Sequence, residues 1–106
     1  MKEDKNIQQI NIELNQEVSE GEYANFVVVT HSPAEFVMDF TKFLPGVSKA
    51  RVHSRVFMAP QHAKAFLAAL GDNIKRFEKS NGEIALSEKD GFGDYPLNPP
   101  DESLPN

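Results

Sequence analysis

A chain of 106 residues fits one domain whose core must be shallow, which argues against a deep substrate cavity. With no Cys it has no disulfide, no thiolate zinc site and no cysteine nucleophile, in keeping with a reducing, cytoplasmic setting. The net charge of −5 opposes non-specific attraction to nucleic acid or anionic membrane, although residues 83–102 carry all of it: six acids stand there against Lys89 alone, so the remaining body is near neutral. In chain order, residues 1–8 are charged and amide-rich, with no apolar stretch of the secretory kind, and read as a flexible N-terminus. Ile10-Asn11-Ile12-Glu13-Leu14 alternates apolar and polar, the period-two pattern of a strand with one buried face. Asn15 to Glu22 is a connection, and Tyr23 to His31, apolar on both sides through Val27, Val28 and Val29, suits a central second strand.

Ser32-Pro33-Ala34 is a turn, because proline fixes φ and lacks the donor a ladder needs. Glu35 to Phe43 then alternates as a third strand, Pro45-Gly46 reverses the chain, and Lys49 to Met58 alternates as a fourth. Pro60 suits the first turn of a helix. In that helix Ala63, Phe66, Leu67, Leu70, Ile74 and Phe77 recur every three or four residues as one apolar stripe, and Gly82 stops it. The remainder, residues 83–106, is rich in Pro, Gly, Ser and acid and reads as a flexible tail. The expected fold is therefore α+β: a four-stranded antiparallel β-meander followed by one C-terminal amphipathic helix (ββββα), spanning residues 9–82.

If both reversals are three-residue loops, His31 pairs with Glu35 and Phe43 with Val47. Val28, Met38 and Val52 then form one row, and Phe26, Phe40 and Ala50 another, both under the helix stripe. The opposite face carries His31-Glu35-Arg55, Val29-Val37-His53 and Val27-Asp39-Arg51, with opposite charges adjacent. Such a face mixes charge with valines too apolar for permanent contact with water. Val27, Val29, Val37, Arg51, His53, Arg55 and Phe57 are thus the candidate interaction face.

Two partners suit that face. The first is a second copy of the chain, in a non-enzymatic homodimer that binds an unknown protein through the sheet face, a strand edge or the acidic tail. The alternative is single-stranded nucleic acid, tracked by Arg51, His53 and Arg55 with Phe57 for stacking, as in the Pur and Whirly proteins whose ββββα order is similar. Enzymatic readings find little support. His31, His53 and His62 have no ligand pair at metal spacing. Ser32 beside His31 lacks a nucleophile elbow, leaving His31 and Glu35 as the least poor acid–base candidates, and Gly91-Phe92-Gly93 does not join a strand to a helix as a phosphate loop would. No catalytic residue, cofactor or metal is expected, and no apolar run is long enough to span a bilayer.

Gly21-Glu22-Tyr23-Ala24-Asn25, Thr30-His31-Ser32, Glu35 to Phe40, Leu44-Pro45-Gly46, Lys49 to Val52 and Pro60 to Lys64 join the opening Ile10 to Leu14 in a pattern. It resembles an uncharacterised small bacterial family, the domain of unknown function number three-four-six-seven. The resemblance implies a bacterial cytoplasmic protein and carries over no catalytic residue. Ala59-Pro60 stands here where that family often has Thr-Pro, a weaker helix cap.

Overall fold

The computed structural model describes residues 8–46 and 48–87. A one-turn helix α1 (Gln16–Ser19) precedes three strands, β1 (Phe26–His31), β2 (Phe36–Lys42) and β3 (Arg51–Met58), and the long helix α2 (Pro60–Asn81) follows directly. The strands form one antiparallel sheet in the order β1-β2-β3, so β2 is central and β1 and β3 are edges. The architecture is α+β with the helix last, as expected. The tail assignment beyond Ser87, the first seven residues and the position of Val47 lie outside the described residues.

The expected first strand does not form. Ile10, Ile12 and Leu14 are 77%, 90% and 68% exposed, and the segment that holds them pairs with no described strand. Alternation gives a segment the capacity to be a strand, but a strand also needs a neighbouring ladder. Three strands therefore stand where the pattern called for four.

Both turns are longer than three residues, and the register changes with them. In the first, the Ser32 hydroxyl accepts from the amides of Ala34 and Glu35 at 3.2 and 3.3 Å, and the Ser32 amide donates to the Glu35 carbonyl at 2.9 Å. This local closure holds Glu35 in the loop and makes His31 face Phe36 rather than Glu35. The one-residue shift exchanges the faces of β1 relative to β2.

The second connection runs from 43 to 50, so Asp39 faces Arg55 instead of Arg51. Asn25 fixes its start. The side-chain amide donates to the Phe43 carbonyl at 2.9 Å and accepts from the Phe43 amide at 2.7 Å, imitating one more rung of the ladder. Gly46, at φ 80°, then takes a left-handed conformation open to glycine. A register shift between Phe40 and Thr41 leaves His53 as an extra residue on β3, a β-bulge.

The observed first face carries the rows His31–Phe36–Met58, Val29–Met38–Val56 and Val27–Phe40–Ser54. The second carries Thr30–Val37–Phe57, Val28–Asp39–Arg55 and Phe26–Thr41–Val52. Helix α2 does not bury its stripe as expected. It packs sparingly on β3, and none of its residues is buried. Phe26 and Met38 are the buried apolar side chains of the described residues.

Candidate functional site

Antiparallel pairing and the bulge decide where each residue of the expected face goes. Val27 and Val29 lie on the first face, with Phe40 and Met38 as neighbours, and Val29 stays exposed. Val37, Arg55 and Phe57 lie on the second. Arg51 faces Lys42 across the bulge, which places it on the first face, away from Arg55. His53 sits at the bulge, its Nδ1 4.0 Å from a Glu22 carboxylate oxygen. The single mixed face is thus divided between two sides of the sheet.

The second face is organised around an ion pair. Arg55 Nε and one terminal guanidinium nitrogen donate to the two Asp39 carboxylate oxygens at 2.6 and 2.8 Å, a bidentate fork. Asp39 is 1% exposed, the most buried polar residue of the sheet, whereas Arg55 keeps a partly open edge. The hydrogen bonding that Arg55 donates to Asp39 raises the Arg55 pKa above its ordinary value; desolvation opposes this and the carboxylate charge adds to it. Arg55 is therefore committed to holding a carboxylate. It also leaves the line of free cations that backbone tracking along a single strand would use.

Beside the pair, the Thr41 hydroxyl donates to the Phe26 carbonyl at 3.0 Å, and the Phe26 and Phe43 rings meet at 5.9 Å. Every buried side-chain nitrogen and oxygen among the described residues has a partner. The buried polar side chains among the described residues are thus satisfied, whereas several large apolar side chains stay exposed. Among the described residues no cluster of His, Asp and Glu could hold a metal ion, and no helix is long and apolar enough to cross a membrane.

His31 and Glu35, the acid–base candidates, are separated by the turn: His31 stacks on Phe36 with ring centroids 5.3 Å apart, and Glu35 lies in the loop. Ser32 is occupied as a turn residue.

The stripe of α2 is an apolar surface left partly open among the described residues. Phe66, Leu70, Ile74 and Phe77 are between 39% and 51% exposed, and Leu67 more so. Their spacing aligns them along one side of the helix as an apolar ridge. Sequence periodicity identifies the ridge, but it assigns the covering role to the chain's own sheet. The signal that was missed is immediate succession: β3 ends at Met58 and α2 begins at Pro60, and a single intervening residue, Ala59, leaves little room to fold the helix back across the sheet.

A model of the family described as "Protein of unknown function (DUF3467)" matches residues 1–86. The chain belongs to the DUF3467 family. The match covers the exposed segment around Ile10 to Leu14, all three strands and α2, so that segment and the exposed ridge both fall inside the family domain. No curated protein and no solved structure matches this DUF3467 member.

Proposed function

We propose that this protein is a non-enzymatic interaction module that acts as a homodimer, with α2 as the centre of the interface. The observation that carries the reading is the uncovered ridge: a 22-residue helix bearing Phe66, Leu70, Ile74 and Phe77 buries none of them within its own chain. A monomer would expose this ridge to water while depending on a core of Phe26, Met38 and their half-buried neighbours. Oligomerisation is one of the ways in which small domains with so little core complete it, and a chain without Cys cannot use disulfides instead.

A second copy is the partner whose surface matches. Two-fold pairing sets the same ridge against itself or against the first sheet face, where Val29 is exposed, and closes without leaving a further free surface of the same kind. A stable interface takes roughly 800 Å² from each partner, and the ridge brings two phenylalanines, two leucines and an isoleucine toward it from one helix. The charged residues Lys64, Asp72, Lys75, Arg76 and Lys79 interrupt the rest of the helix and would form the polar rim.

The test is sedimentation velocity over a hundredfold range of concentration, on the wild type and on Leu70→Asp. The expected result is a dimer for the wild type and a shift toward monomer or unfolded chain for the variant. A folded monomer throughout the range would overturn the proposal.

A further inference from the structure

The edge strand β1 reads Phe-Val-Val-Val-Thr-His, with no charged residue and no proline. Open edges of that composition invite a further strand, and folded proteins normally blunt them with charge, proline or a covering element. The other edge, β3, is protected in this way: Arg51, His53 and Arg55 punctuate it, and the bulge at His53 breaks its regularity. Among the described residues the sheet is therefore open to a further strand beside β1, along Val27 to His31.

The described chain also holds a segment of the right kind for it. Ile10, Ile12 and Leu14 alternate with Asn11 and Glu13, and all three apolar side chains project into solvent. Five extended residues span roughly 17 Å, close to the length of β1. On the side of the sheet shared by Val27 and Val29 they would extend the rows that already contain Phe40 and Met38, and they would cover Val29, which is 57% exposed.

The chain's own route leads the segment away from this edge. Asn25, immediately before β1, is tied to Phe43 at the end of β2, and Glu22 approaches His53 on β3. The residues entering β1 thus pass across the end of the sheet toward the far edge, and α1 lies upstream of that crossing. Among the described residues, each chain has one segment with strand alternation but no ladder, at residues 10–14, and one sheet edge without a further strand, at Val27 to His31, and reciprocal exchange between two copies satisfies both with two-fold symmetry.

We infer that residues 10–14 of each chain add antiparallel or parallel to the β1 edge of a second copy, so that the sheet of the homodimer has four strands per half, one of them supplied in trans. This rests on the homodimer proposed above and adds to it the element that is exchanged.

The absence of native cysteine makes disulfide trapping clean. Full-length Ile12→Cys is mixed in denaturant with Val27→Cys or with Val29→Cys, refolded and oxidised, because facing strand positions lie within disulfide reach. The expected product is a covalent dimer containing one chain of each variant, in yield at least several-fold above that of Ile12→Cys mixed with Ser80→Cys on α2. Light scattering on the unoxidised wild type separates the two proposals. A dimer that gives no mixed disulfide at either valine overturns strand exchange and leaves the helix interface standing, whereas a monomer overturns both. An Ile12→Cys/Val29→Cys double variant that closes its disulfide within one chain also overturns exchange, since the strand would then be supplied in cis.

Discussion

Asp39 on β2 and Arg55 on β3 face each other directly and are joined by two parallel hydrogen bonds of 2.6 and 2.8 Å, with the carboxylate enclosed in the sheet. A pair of this kind matters most when one half is removed, because the other charge is left partly desolvated without a partner. Asp39→Ala is expected to lower the thermal unfolding midpoint by roughly 10 °C. Arg55→Lys keeps the charge and loses the fork, so it should fall between Asp39→Ala and wild type. Asp39→Leu combined with Arg55→Met should recover much of the loss, and calorimetry of the four proteins in one buffer would check the order. The Arg55 shift is upward from an ordinary value already far above neutrality, and its stabilising contribution is present below that value. Arg55 titration itself should therefore add no slope to stability between pH 5 and 9.

Thr41 and Asn25 anchor the junction between β1 and β2 by different means. Thr41→Val removes the hydroxyl bond to the Phe26 carbonyl and is expected to cost about 1 kcal/mol, whereas Thr41→Ser should cost less. Asn25→Ala removes both bonds to Phe43 and should cost about 1–2 kcal/mol, while Asn25→Asp preserves only the acceptor. Urea titration of the four variants, compared at constant m, measures each term.

The proposed dimer interface on α2 would couple stability to concentration. The unfolding midpoint of the wild type should rise as protein concentration increases, and the dependence should flatten in Leu70→Asp or Ile74→Asp. Gln61→Ala, on the side of α2 away from the ridge and its rim, should retain the wild-type dependence. Differential scanning calorimetry at several concentrations would show it, and a midpoint independent of concentration in the wild type would count against the interface.

The end of α2 depends on one backbone conformation. Gly82 has φ 94° and ψ 164°, a region open essentially to glycine, while its amide still donates to the Glu78 carbonyl at 2.9 Å. Gly82→Ala is expected to cost about 1–3 kcal/mol, or to fray the last turn, where the Glu78 carboxylate also accepts from the Ile84 amide at 2.9 Å. Hydrogen exchange at residues 78–84 distinguishes fraying from global loss.

Three of the four expected strands, and the long helix, were legible in the residues because alternation and the three-to-four spacing are local properties. Phe36, Met38 and Phe40 share one face whatever lies beside them, and Phe66, Leu70, Ile74 and Phe77 share one side of any helix that contains them. The register was not legible. Asp39 can satisfy its charge with Arg51 or with Arg55 equally well as a cross-strand pair, so the charge pattern could not choose between them. The choice was made by the Ser32 hydroxyl, which lengthened one turn, and by the Asn25 clamp and the bulge, which set the other. Those contacts bring together residues as far apart as Asn25 and Phe43. With the register went the candidate face, whose seven residues divide between the two sides of the sheet.

The sequence by itself determined which segments could become strands or helix, which side of each would be apolar, and which family the pattern resembled. Only the tertiary structure decided what each apolar side would meet. Ile12 and Leu70 carry the same local signals as residues of an ordinary core, yet both remain exposed in the described chain. Local periodicity records the need for burial without recording the neighbour that provides it, because burial is a property of two surfaces and the sequence around either residue encodes only one of them.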